Sequence, residues 1–176
     1  MTTSTSSSEL AGWFAGRLPD DWFIAPPGVT VDREEILVVG DIAEPEYPAG
    51  ADEAVRAAAR RARIKRFRED TRGPRMKIAD EAEHRTGRKV AWGARCGEDE
   101  QVFTSLAVPM MTRLRMPERQ VLDTLVSAGV ARSRSDALAW CVRLVRDHES
   151  DWIRQLRDAL VAVEEARQAG PSPAGG

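Results

Sequence analysis

Apolar positions recur along this chain at two spacings, every three to four residues and every second residue. The switches between them predict the order of elements. In "ELAGWFAGRL", Leu10, Trp13 and Phe14 share one side of a short helix that Pro19 closes. Val29 and Val31, a charged turn, and then Ile36 to Ile42 read as a β-hairpin, with Trp13, Trp22 and Phe23 covering one face of it. "EPEYPAG" is a linker. A helix then runs from Ala51 with a thin apolar stripe of Val55, Ala59 and Ala62, and Ile64 and Phe67 beside it. Gly73-Pro74 interrupts that helix, and "PRMKIADEAEHRTG" forms a second one with Pro74 near its start and Gly87 at its end. "RKVAWGARC" places Val90, Trp92, Ala94 and Cys96 on one side of a strand, "GEDE" is a turn, and "QVFTSLAV" is a second strand.

The pattern is richest from Met110 onward. In "MMTRLRMPER" a period of two puts Met110, Thr112, Leu114 and Met116 on one face, and Met111, Arg113 and Arg115 on the other. Pro117 suits the first turn of a helix whose apolar stripe is Val121, Leu122, Leu125 and Val126 and which Gly129 ends. Ser133, followed three residues later by Asp136, is a capping pattern for a second helix with a stripe of Leu138, Cys141, Val142 and Val145. No Gly or Pro occurs from Asp136 to Ala169, which allows one long helix or two abutting ones, with Trp152, Ile153, Leu156, Leu160 and Val163 keeping an apolar face.

These elements predict an α+β fold, mainly helical with short β-hairpins and a C-terminal module that dimerises through its strand. The expected segments are a disordered tail over 1–8, an acidic hairpin region over 9–50, basic helices and a β-hairpin over 51–108, the strand-helix-helix module over 109–148, a helical extension over 149–168 and a second disordered tail over 169–176.

Charge changes the picture more than composition does. The formal net charge is −2, but residues 1–55 hold 2 Lys+Arg against 11 Asp+Glu, whereas residues 56–95 hold 14 against 5. Two readings of this segregation stand side by side. The segments can neutralise each other across an internal interface, or the basic stretch can track phosphates through Arg60, Arg61, Arg63, Lys65, Arg66 and Arg68. The acidic first third is also a candidate surface for a basic protein partner.

Cys96, Cys141, His84 and His148 are the only cysteines and histidines, and none has metal-ligand or disulfide-framework spacing. No metal, cofactor or membrane span is expected, and the Ser/Thr-rich start carries no signal-peptide pattern, so a cytoplasmic location is expected. No phosphate-binding loop, dinucleotide glycine pattern or nucleophile elbow points to an enzyme.

The order "MTRLRM", "PERQVLDTLVSAG", "VAR" and "SRSDALAWCVRLV" resembles the ribbon-helix-helix family of DNA-binding proteins, the MetJ/Arc/CopG type, over residues 110–148. The resemblance implies a homodimer in which two copies of the strand form an antiparallel ribbon in the major groove. It implies that Met111, Arg113 and Arg115 read bases. It also implies that Arg132, Ser133, Arg134 and Ser135 hold a DNA phosphate at the start of the second helix. Elementary physics agrees: Arg matches guanine with two hydrogen bonds, a capped helix start attracts phosphate, and two strands alone are unstable without a partner. The expectation is a dimeric, sequence-specific, nucleoid-associated DNA binder, most simply a transcriptional regulator. An antitoxin-like or other protein-interaction dimer and a nucleoid binder of low specificity are the alternatives. "QVFTSLAV" is the ribbon's competitor, because a strand there could pair with "MMTRLRM" and occupy it.

Overall fold

The computed structural model describes residues 7–169; the expectations for residues 1–6 and 170–176 lie outside the described residues. The fold is α+β and mainly helical, and the chain divides into two compact units at Pro109/Met110.

The N-terminal unit begins with α1 (Ser7–Arg17), so Ser7 and Ser8 belong to a helix and not to a tail. Leu10 and Phe14, four residues apart, are fully buried, as their spacing on one helical face requires. Strands β1 (Gly28–Val31) and β2 (Glu35–Asp41) form the expected hairpin. Its turn is held by Asp32, whose Oδ1 accepts from the backbone N–H groups of Glu34 and Glu35 at 2.9 and 2.7 Å. These two bonds hold the Asp32 carboxyl below the usual carboxylate range.

Helices α2 (Glu53–Asp70) and α3 (Arg72–Thr86) follow, then β3 (Lys89–Cys96) and β4 (Asp99–Val102). The two hairpins do not stand apart. β2 pairs with β3 in parallel, with Ile36 opposite Val90 and Val38 opposite Trp92, to give one sheet in the order β1-β2-β3-β4. A parallel pair cannot be closed by a tight turn, and α2 and α3 are its crossover.

Three boundaries differ from the sequence reading. The break between α2 and α3 falls at Thr71, upstream of Gly73-Pro74. The reason is steric: a proline ring clashes with the carbonyl four residues earlier, here Asp70, so the first helix must end there. The hairpin turn after β3 is the pair Gly97-Glu98, with Cys96 opposite Asp99, and β4 ends at Val102 instead of running on to Val108. Beyond Val102 one further ladder-like bond is made, from the Phe103 N–H to the Trp92 carbonyl at 2.7 Å, and Phe103 turns into the core. Leu106 and Val108, read as strand positions, are exposed. The stripe on α2 is also rotated: Val55 and Ala62 face solvent, while Ile64 is buried and Phe67 half-buried.

The core of this unit lies between the sheet and helices α1 to α3 and joins Leu10, Phe14, Ile36, Val38, Ile64, Ile78 and Trp92. An aromatic cluster seals it. Trp22 meets Phe67 and Trp92 edge-on at 5.9 and 6.2 Å, and Phe23 packs on Phe67 at 5.5 Å. Gly40 on β2 makes room for this arrangement, since a Cβ there would stand 2.3 Å from the Phe23 ring.

The C-terminal unit contains α4 (Met116–Ser127), α5 (Arg134–His148) and α6 (Ser150–Ala169). The long helical stretch is thus two abutting helices that part at Glu149, the cap of α5. The fully packed residues of the unit, among those described, are Leu122, Ala131 and Ala137, with Leu114, Leu125, Val126, Leu138 and Cys141 around them.

Gly40→Ala is expected to lower the unfolding free energy by about 1–3 kcal/mol through overpacking against Phe23. Urea titration measures this as a lower midpoint at unchanged slope. An unchanged midpoint would mean that the Phe23 ring moves aside without cost.

Candidate functional site

The segment from Met110 to Asp136 is built around a helix end and a helix start. Helix α4 stops in a paired-hydrogen-bond arrangement: the Gly129 N–H donates to the Val126 carbonyl and the Val130 N–H to the Leu125 carbonyl, each at 3.0 Å. Gly129 has φ +73°, the left-handed conformation this stop requires and one that costs least at glycine. Two residues later Ala131 is buried, and the chain re-enters a helix at once.

The start of α5 is capped from both directions. The Ser133 hydroxyl accepts from the Asp136 N–H at 3.2 Å, and the Asp136 carboxylate accepts from the Arg132 N–H at 3.0 Å. Helix α4 is entered through Arg115, whose extended backbone precedes Met116 and Pro117 in the first turn.

The segment Met110–Arg115 forms no ladder within the single chain. Its side chains nevertheless sort by face. Leu114 packs against the α4–α5 cluster, whereas Arg113 and Arg115 on either side of it are exposed. Met111 is fully exposed, at 100%. Met110 and Met116, expected beside Leu114, are exposed in the single chain too. The strand that could have competed for this segment ends at Val102.

The four residues expected around a phosphate are brought together at the α5 start, but not equivalently. The Arg132 side chain is 98% exposed and, among the described residues, makes only a long 4.0 Å ion-pair contact with Asp136; Ser133 and Ser135 are exposed. Arg134 is committed elsewhere: its Nε and Nη2 donate to the two carboxylate oxygens of Asp123 on α4, at 2.6 and 2.7 Å. This two-point pair ties α4 to α5. It holds the Asp123 carboxyl below its usual range and raises the Arg134 guanidinium.

The α2 residues proposed for phosphate tracking divide sharply. Arg60 is not a surface cation: it is 6% exposed and donates to Asp99 and Glu53, at 2.5 Å each. The bond to Glu53 and then that to Asp99 raise its pKa further. Its place is structural, because the face of α2 that turns inward carries Arg60 in line with Ile64. Arg63 donates to the Ala43 carbonyl at 3.3 Å, and Arg66 pairs with Asp70 one turn on. Arg61 and Lys65 line a cavity of about 850 Å³ together with Arg68, Arg72 and Arg75. Arg72 and Arg75 escaped the sequence reading because they lie past the helix break; the only signal for them was their place in the basic stretch.

The two units coincide with two family matches. The family described as Rv1265-like protein, N-terminal domain matches residues 8–102, and the Mb1296 C-terminal domain matches residues 115–167. The chain belongs to the Rv1265-like family. It is 56% identical over 165 residues to the uncharacterized proteins Mb1296 of Mycobacterium bovis and Rv1265 of Mycobacterium tuberculosis, covering 94% of this chain and 71% of each relative. No solved structure matches it significantly. Within this Rv1265-like chain, the C-terminal match begins at Arg115, at the entry to α4, and leaves most of the segment Met110–Arg115 outside it.

Ser133→Ala removes the acceptor at the α5 start and is expected to cost about 1 kcal/mol of stability. Thermal unfolding followed by circular dichroism checks this; a midpoint equal to that of the unsubstituted chain would show the Asp136 bond sufficient alone.

Proposed function

We propose that this chain is a homodimeric, sequence-specific DNA-binding protein of ribbon-helix-helix type, most simply a transcriptional regulator acting at the nucleoid without enzymatic activity. The observation that carries the reading is the sorting of Arg113, Leu114 and Arg115. Leu114 anchors an otherwise unpaired extended segment to the helices, and two guanidinium groups are left outward beside it. A second copy of the segment, paired antiparallel, gives a ribbon that fits the major groove, and Arg113 and Arg115, with Met111, then meet base edges. Arg132, Ser133 and Ser135 at the α5 start supply a phosphate contact, with the first-turn N–H groups pointing the same way. Arg134 serves that contact only when it leaves Asp123.

Dimerisation is supported separately by the thinness of the core. Leu122, Ala131 and Ala137 are too few to stabilise a unit of this size, while Val121, Val142 and Val145 of the predicted stripes are exposed in the single chain. A second copy covering these side chains converts an exposed face into a core.

The commitment of Arg134 to Asp123 favours a second reading, in which the C-terminal unit serves chiefly to dimerise and the chain works by binding another protein. The two readings separate on DNA. Fluorescence anisotropy on genomic fragments at moderate salt is expected to give discrete high-affinity sites and a steep loss of affinity with added salt. Arg113→Ala/Arg115→Ala is expected to weaken those sites at least tenfold, on the basis of about 1–3 kcal/mol per two-point arginine contact. Equal binding by the double variant sinks the base-reading assignment. No DNA binding, with a stoichiometric protein partner after nuclease treatment, establishes the second reading.

The dimer is expected to show itself independently. The unfolding temperature rises with protein concentration when only the assembled form is stable, and equilibrium sedimentation gives twice the chain mass. A concentration-independent midpoint at the mass of one chain overturns the dimer.

A further inference from the structure

The cavity of the N-terminal unit has the construction of an anion site. Its floor is apolar, formed by Val90 and Trp92 of β3 and by Phe103 just past β4. One wall carries Arg68, Arg72 and Arg75.

Arg75 is the unusual member. It is 7% exposed, and none of its described partners is a carboxylate. Its Nε donates to the Thr71 hydroxyl at 2.9 Å and its Nη2 to the Arg68 carbonyl at 2.7 Å, both neutral acceptors. Its guanidinium stands 4.9 Å over the Phe103 ring, and that of Arg68 stands 5.8 Å from the same ring. Burial, and then the neighbouring charges of Arg68 and Arg72, push its pKa down to about 10.

A buried cation normally has a paired anion, because desolvation is costly without one. Arg60, the other buried arginine of this unit among the described residues, keeps that rule, with Glu53 and Asp99 as its partners. Among the described residues, Arg68, Arg72 and Arg75 form no ion pair. Three guanidinium groups thus converge on one cavity, the most buried of them pre-oriented by neutral hydrogen bonds.

We propose that this cavity binds a small amphipathic anion, its carboxylate or phosphate head on Arg68, Arg72 and Arg75 and its apolar body on Val90, Trp92 and Phe103. The volume, about 850 Å³, is that of a site for a molecule of drug or metabolite size. Glu69, Asp80 and Glu83 line the same cavity and disfavour a polyanion such as a nucleic-acid backbone, so a small ligand is favoured. The proposal concerns the N-terminal unit alone and holds whether or not the C-terminal unit reads DNA.

The test is isothermal titration of the full chain with phenyl phosphate, inorganic phosphate and benzyl alcohol, which carry both parts, the head alone and the body alone. Phenyl phosphate is expected to bind one per chain, at least tenfold more tightly than either of the others. Arg72→Glu reverses an exposed charge without disturbing the core and is expected to weaken phenyl phosphate at least tenfold. Arg75→Met, whose side chain is neutral and of similar length, should do the same while circular dichroism reports a folded chain. Should Arg75→Met unfold, Arg72→Glu decides alone. The proposal is overturned by unchanged affinity in Arg72→Glu, by inorganic phosphate binding as tightly as phenyl phosphate, or by no binding of phenyl phosphate. It is also overturned when a short oligonucleotide binds through the same arginines and phenyl phosphate does not displace it.

Discussion

The parallel pairing of β2 with β3 is the constraint from which the N-terminal unit follows. Antiparallel neighbours need only two residues between them, as Gly97 and Glu98 show, but a parallel neighbour demands a return to the same end of the sheet. The chain makes that return through α2 and α3, and both helices must then bury a face on the sheet they have crossed. Trp22 and Phe23 fill the remaining gap against Phe67 and Trp92. The cavity lies beside this packing, where the crossover helices part from β3 and the Phe103 corner.

The same crossover decides what the charges do. A chain with an acidic first third and a basic middle could have joined them throughout, and in part it does. Arg95 of β3 meets Asp41 of β2, and Arg60 of α2 meets Glu53. Arg60 also reaches past the acidic third to Asp99 of β4, and the pair of Arg17 with Glu81 joins a cation of that third to an anion of the basic stretch. Such surface pairs contribute little individually, but the buried Arg60 fixes α2 to the β3–β4 hairpin. The neutralising reading of the charge segregation therefore describes Arg60 and Arg95, and stops short of Arg68, Arg72 and Arg75.

Local signals in the sequence were enough wherever one element decided its own end. Leu10 and Phe14 marked the inward face of α1, Gly87 and Gly129 the ends of α3 and α4, and Ser133 with Asp136 the start of α5. What the sequence concealed depends on residues distant along the chain. Arg60 resembled every other arginine of α2 until Asp99, 39 residues on, was brought against it. The pairing of two hairpins into one sheet left only an indirect trace, the run Ala91–Ala94 buried on both faces, which alternation alone would not require. "QVFTSLAV" had the spacing of a strand, but the chain leaves the β3 edge where Phe103 turns into the core, and Lys89–Ala91 keep a strand partner only on the β2 side. At the proposed DNA interface the alternation of Arg113, Leu114 and Arg115 was readable, whereas the capture of Arg134 by Asp123 required the fold of the helical turn between them.

Arg75 has one further consequence, mechanical in kind. Its guanidinium reaches back across the break between α2 and α3, holding the Thr71 hydroxyl at the corner and the Arg68 carbonyl in the last turn of α2. Thr71 in turn donates to the Phe67 carbonyl at 2.6 Å. The side chain that lines the cavity is therefore also the brace of the corner, and its two duties share the same few N–H groups. Any force on that guanidinium acts as a lever on the angle between the two helices, and any change in that angle reshapes the cavity wall.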